Sequence, residues 1–191
     1  MSPFTSVTDR AVVIDRANID TDQIIPARFL RKPRSAGYQN FLFHDEPGIR
    51  QAVLGAGVVL AGENFGCGSS REGAVYALVD AGVRCVIAPS FGDIFAGNAG
   101  KNGLLLLSFE ETVTVPLRAA LAQGGMVTVD LTAQRITGPG VAPLDFEIDA
   151  FRKRMLLEGL DDIGLTLALG PELDAWAQRD AEARPWVASA L

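Results

Sequence analysis

The chain has 191 residues, 48% of them hydrophobic, with 17 basic against 23 acidic side chains for a net charge of −6, one histidine and two cysteines. That is enough apolar material for one well-cored domain or a domain with a helical appendage, and too few cysteines for a disulfide framework, a structural zinc or a four-thiolate iron–sulfur cluster. No basic stripe follows a phosphate backbone, no apolar run approaches the roughly 18 residues of a membrane span and residues 1–11 carry no apolar leader, so a soluble cytoplasmic protein without nucleic-acid or membrane partners is expected.

Taken in chain order, short β-branched or aliphatic runs at 11–14, 58–60, 85–88, 104–107, 127–130 and 145–148 read as strands. Helical stretches lie between them: 71–81, stopped by Gly82; 91–96; and 116–123, with Pro116 at its start and Gly124 just past its end. The Gly/Pro-rich stretch 138–143 reads as a turn between two strands. Beyond it Asp149 is placed to cap a helix through Glu158, Gly159 ends that helix, and Pro171 opens an alanine-rich amphipathic helix to about Arg184. The expectation is an α/β domain over residues 1–148, followed by a helical region over 149–191 that packs on the same domain or on a partner.

The segment 62–72 follows a predicted strand and leads into a predicted helix. Gly66 and Gly68 let the backbone come close to a ligand, and the first-turn NH groups of the helix favour an anion. A purely local account also fits, because Ser69 with Glu72 three residues later matches a capping box. Arg71 opposes the helix dipole at a cost of up to about 1 kcal/mol, so it calls for a compensating anion. That anion is either a bound carboxylate taken bidentately or a neighbouring Asp or Glu. A nucleophile elbow is not met at Ser69 or Ser70, and Arg71 breaks a dinucleotide-binding glycine pattern. The single histidine, His44, leaves Cys67 without an obvious orienting base, and a small buried thiol is its default reading.

The run GCGSSRE at 66–72 resembles the signature of the swivelling domain of the aconitase superfamily. The run NIDTDQIIPARFL at 18–30 is similar to the N-terminal signature of the isopropylmalate dehydratase small subunits, and KNGLL at 101–105, FRK at 151–153, GLDDIGLTL at 159–167 and RPW at 184–186 follow in the same order. The resemblance spans nearly the whole chain. It implies a swivelling β/β/α domain with C-terminal helices, no cofactor on this chain, and a separate large subunit carrying a 4Fe-4S cluster.

The implied chemistry is a dehydration and rehydration that moves a hydroxyl between adjacent carbons of a small dicarboxylate. Ser69 would remove the proton α to a carboxylate. Ser70 and Arg71 would hold a substrate carboxylate, Arg28 would contact a second one, and Phe29 and Leu30 would border a branched alkyl group. For Arg28, a surface ion pair with Asp20 or Asp22 is the competing reading. Thr21, Asp22, Gly66, Gly68, Lys101 and Asn102 are expected to support the site without direct roles.

The chain departs from the family pattern at Gly73, where His is usual, at Leu106 for Pro, at Met155 for Cys and at Glu158 for Asn. These departures keep open a paralogue acting on 2-methylmalate, dimethylmalate or homoaconitate. They also keep open a dicarboxylate-binding module that has drifted from chemistry.

Overall fold

A computed structural model describes residues 1–69 and 71–188 of the chain. In order, the elements are β1 (Ser6–Ile14), α1 (Thr21–Ile24), α2 (Pro47–Val53), β2 (Val58–Ala61), α3 (Glu72–Asp80), β3 (Cys85–Ala88), α4 (Asp93–Lys101), β4 (Leu105–Ser108), α5 (Glu111–Ala120), β5 (Gly125–Asp130), β6 (Arg135–Gly138), β7 (Val141–Asp145), α6 (Ala150–Glu158), α7 (Asp162–Leu167), α8 (Gly170–Ala183) and α9 (Pro185–Ala188). Three 3-10 turns, Ala27–Phe29, Arg34–Ala36 and Tyr38–Asn40, fill the segment between α1 and α2.

One seven-stranded sheet runs β4-β3-β2-β1-β5-β6-β7. The first four strands are parallel to one another, and β5, β6 and β7 continue from β1 as an antiparallel meander. Every residue of β2 and β3 is buried, which suits a parallel sheet covered on both faces. Because successive side chains point to opposite faces, Val59, Ala61, Val86 and Ala88 join one core with α3, α4 and the 3-10 segment. Val58, Leu60, Cys85 and Ile87 join a second with Leu117 of α5, Leu156 of α6 and the meander. Each large aliphatic side chain buried this way stabilises the fold by about 1.5–3 kcal/mol.

Several elements differ from the sequence reading: β1 starts at Ser6, α4 runs on to Lys101, and α2, β6 and α7 have no counterpart in it. Helix α5 begins at Glu111, ahead of Pro116, which lies inside the helix. The β-branched run Thr112–Val115 was a poor helix signal, but Thr114 and Leu117 face the core while Pro116 is on the exposed side, where water can take the carbonyl that loses its partner. The turn expected at 138–143 is only two residues long, and Val141 already pairs with Gly138. That tight turn shifts the last strand upstream of the expected 145–148: Asp145 closes β7 opposite Arg135, and beyond it Phe146 donates its NH to the Gln134 carbonyl (3.0 Å) and accepts from Gln134 Nε2 (2.9 Å). Pro143 fits in β7 because the strand is at the sheet edge.

The C-terminal caps agree with expectation. The Asp149 carboxylate accepts from Arg152 N at 3.0 Å, and Gly159 ends α6 in the left-handed region at φ 69°. Helix α6 is tied to the N-terminus through Phe4 N to Leu156 O (2.8 Å) and the terminal ammonium to Gly159 O (3.2 Å). Helices α7 and α8 contribute no buried residue, and Ile163, Leu167 and Trp176 on them are exposed. Among the described residues no helix is long and apolar enough to cross a membrane.

Candidate functional site

The parallel strands β1, β2 and β3 end at the same sheet edge, the carboxyl edge where open α/β sheets bind ligands. The segment after β2, residues 62–69, is clamped there between the segments that follow its two neighbours. On the β1 side, Asn18 N donates to Glu63 O (2.9 Å), Gly66 N to Ile19 O (2.7 Å) and Thr21 N to Cys67 O (2.9 Å). On the β3 side, Phe65 N donates to Ser90 O (3.1 Å) and Gly92 N to Phe65 O (2.9 Å). Two side-chain bonds reinforce these: Asn64 Nδ2 to Asn18 Oδ1 and Asn64 N to Ser90 Oγ, both 2.8 Å.

The glycines have distinct jobs in this clamp. Gly66, at φ 74°, lies against the Phe95 ring of α4, with no room for a side chain. Gly68, at φ 90°, is exposed and turns the chain towards Ser69, which is also exposed. The Ser69 carbonyl accepts a 3.0 Å hydrogen bond from the hydroxyl of Thr21, a residue only 1% exposed. Thr21 is thereby a buried post that fixes the backbone under Ser69. Replacing Thr21 by Val should cost about 1 kcal/mol and release the backbone under Ser69. Thr21→Ser, which keeps the hydroxyl, should stay near wild type, and a thermal melt of both variants checks this.

The capping box expected from Ser69 and Glu72 is absent. Helix α3 starts at Glu72, its N-cap is Arg71 without a side-chain cap bond, and the Glu72 carboxylate instead accepts from Asn102 Nδ2 at 2.8 Å. Ser69 lies two residues ahead of the N-cap position, so local helix chemistry does not account for it. The capping box is present elsewhere: Asp20 accepts from Gln23 N (2.7 Å) and Gln23 Oε1 accepts from Asp20 N (2.9 Å), starting α1. The signal, an Asp followed three residues later by Gln, was visible in the sequence but hard to weigh before a helix of four residues.

Arg71 is largely buried, its side chain 17% exposed, and its Nη1 forms an ion pair with Asp22 Oδ1. Of the two anions foreseen for Arg71, the protein carboxylate is present as Asp22. A guanidinium has five donors, so one carboxylate oxygen does not exhaust it, and the pair orients the rest. Asp22 also accepts from Ala27 N at 3.2 Å, which ties the start of the 3-10 segment to Arg71. Ser70 lies outside the described residues.

Arg28, Phe29 and Leu30 are not gathered at Ser69 in the same way. Arg28 pairs with Asp45, neither Asp20 nor Asp22; its Nη1 is 2.8 Å from Asp45 Oδ2, and its guanidinium carbon lies 4.7 Å from the Phe29 ring centre. The Arg28 guanidinium, with His44 alongside, holds the Asp45 carboxyl down to about 2. Phe29 stacks on Phe41 with centroids 4.5 Å apart. Leu30 is half-buried against the first turn of α3. Of the remaining supports, Asn102 holds the start of α3, whereas Lys101 turns away to Asp162 of α7 at 2.7 Å. Sequence reasoning overlooked Asn18, Ser90 and Phe95, whose contacts join segments distant in the chain and leave no local pattern.

Among the described residues no group of three His, Cys, Asp or Glu side chains converges to hold a metal. Cys67 is half-buried in the loop, and Cys85 is fully buried on β3, where burial pushes its thiol well up. Two thiols so placed do not suit a four-thiolate cluster on this chain.

Comparison with known proteins agrees with this geometry. Residues 55–112, which contain the loop, match the family model of the aconitase C-terminal domain. A 3-isopropylmalate dehydratase small subunit from Jannaschia sp. is 45% identical, with 98% of this chain and 100% of the relative covered. One from Acidobacterium capsulatum is 46% identical, covering 98% and 95%. The crystal structure of 3-isopropylmalate dehydratase (leuD) from Methanocaldococcus jannaschii superimposes with a TM-score of 0.72 at 28% identity, covering 89% of this chain and 98% of that one. On identity of this extent over essentially its full length, the chain belongs to the 3-isopropylmalate dehydratase small-subunit family.

Proposed function

We propose that this chain is the cluster-free half of a cytoplasmic 3-isopropylmalate dehydratase, interconverting 2- and 3-isopropylmalate in leucine biosynthesis when joined to a large subunit. The observation that carries this reading is Ser69: exposed on a loop clamped at the carboxyl edge of the sheet, with its backbone held by Thr21 and with Arg71 two residues on, already oriented by Asp22.

In water a serine hydroxyl is far too weak an acid to serve as a base. An exposed Ser69 is therefore an incomplete site, and a second chain covering it would exclude water and strengthen every fixed dipole around its oxygen. With that cover, Ser69 Oγ, held as an alkoxide by the surrounding NH groups and Arg71, takes the proton from the carbon next to a carboxylate and becomes a hydroxyl, and the electron pair left behind forms the double bond as the substrate hydroxyl departs from the neighbouring carbon as hydroxide. In rehydration Ser69 returns the proton to the carbon that ends without hydroxyl. A 4Fe-4S cluster on the large subunit would supply Lewis-acid assistance to the departing hydroxyl.

This chain's part is to bind and orient. Arg71, with Ser70, holds one substrate carboxylate, and Arg28 takes the other by exchanging it for Asp45. Phe29 and Leu30 border the alkyl group, and Thr21, Asp22, Gly66, Gly68 and Asn102 keep the loop in place. The test is to mix the chain anaerobically with the cluster-loaded large subunit and follow ultraviolet absorbance of the unsaturated intermediate from 2-isopropylmalate, 2-methylmalate and homocitrate. The fastest turnover is expected with 2-isopropylmalate. Preference for another acid would move the assignment to a related hydro-lyase.

A further inference from the structure

Residues 30–38 rest on one face of α3. Gly73, Tyr76 and Asp80 lie along that face at helical spacing. Arg34 reaches down to two of them: its guanidinium carbon lies 4.1 Å from the Tyr76 ring centre, and its Nη2 is 2.7 Å from Asp80 Oδ1. Tyr38, 6% exposed, sets its ring edge-on to Tyr76 at 5.9 Å and donates its hydroxyl to the Lys32 carbonyl at 3.0 Å. At the third position there is no side chain to rest on. Gly73 is buried, and a Cβ placed there would lie 2.6 Å from Leu30 Cδ2 and 3.1 Å from Tyr38 Cε1. Leu30 and Tyr38 thus occupy the space that any other residue at 73 would fill.

We propose that Gly73 is a specificity-determining positioning residue: by leaving its volume to Leu30 and Tyr38, it sets how close the 30–38 loop comes to the start of α3, and hence to Ser69. This rests on the reading that Ser69 and Leu30 face one substrate. The helix that follows Ser69 also carries the loop, so α3 fixes the span between the base and the alkyl-contacting side chain. A methyl at 73 must push Leu30 back by roughly 1 Å to reach ordinary contact distance. A shift of that size is felt by a branched alkyl group and little by a methyl substituent.

The experiment has two arms. In the first, trypsin cleavage after Arg31 and Arg34, both exposed, is timed in the wild-type chain, in Gly73→Ala and in Gly73→Ala/Leu30→Val, where the colliding δ-carbon is gone. Cleavage is expected to be several-fold faster in the single variant and to slow again in the double. Equal rates in all three would overturn the packing role.

In the second arm, the single variant assembled with the large subunit should show a KM for 2-isopropylmalate raised roughly tenfold, with kcat within about twofold and KM for 2-methylmalate nearly unmoved. A fall in kcat shared by all acids at unchanged KM would overturn the specificity role. An inert wild-type mixture would sink the functional reading and the specificity role with it, while the proteolysis arm still decides whether Gly73 sets the depth of the loop.

Discussion

Ser69→Ala should lower kcat of the assembled enzyme roughly a thousand-fold while leaving assembly and thermal stability unchanged. The stability half follows from how the residue is held. Ser69 engages its neighbours through its carbonyl, which accepts from Thr21, and it does not cap α3, whose N-cap is Arg71. Removing an exposed hydroxyl with no capping duty leaves the fold intact, within about 0.5 kcal/mol. The catalytic half follows from the proposed role: a positioned base contributes about 10²–10⁴ in rate. Steady-state kinetics, a thermal melt and a co-purification assay on the same preparation separate the two. Loss of activity together with loss of assembly would make Ser69 an interface residue, and normal activity would remove it from the mechanism.

Gly66→Ala should be the most damaging single change to the fold of the site. Two penalties coincide at this residue. Its φ of 74° lies where an L-residue with a side chain is strained by about 1–3 kcal/mol. The added methyl would also stand 2.6 Å from Cδ1 of Phe95, whose ring is 2% exposed and packed edge-on to Phe65 at 5.5 Å. With nowhere to retreat, overpacking adds about 1–3 kcal/mol. A total near 3 kcal/mol lowers the melting temperature by about 8 °C in a chain of this size. Because Gly66 N also donates to Ile19 O, a shift here loosens the clamp from the β1 side and carries Ser69 with it. Turnover should therefore fall with stability, unlike in Ser69→Ala. A melting temperature within 2 °C of wild type would show that the loop adapts and the clamp is softer than described.

Much of this was legible from local signals. The run Cys85–Ala88 is short, apolar and bracketed by turn residues, and it forms β3 as bounded. Asp149 and Gly159 mark the ends of α6 because a cap acts through its own side chain or φ. The loop at 62–69 stood out because its glycines, between a strand and a helix, let the backbone come close to a ligand at a helix N-terminus.

Features that depend on pairing across the chain were not legible. Arg71 faced two kinds of anion on sequence grounds, and only the placement of α1 beside the loop selects Asp22, 49 positions away. Arg28 finds Asp45 because the 3-10 segment folds back on itself. The start of α5 was hidden by β-branched residues whose helical conformation is decided by the burial of Thr114 and Leu117. Gly73 read as a missing side chain, whereas Leu30 and Tyr38 fill its place.

The central claim is that an exposed Ser69 belongs to a half-site completed by another chain. The most direct measurement is turnover of 2-isopropylmalate by this chain alone, by the cluster-loaded large subunit alone, and by the two mixed anaerobically at equal concentration. The account predicts activity in the mixture only, abolished by Ser69→Ala in a complex that still forms. Turnover by the large subunit alone, or by a mixture containing Ser69→Ala at the wild-type rate, would contradict it.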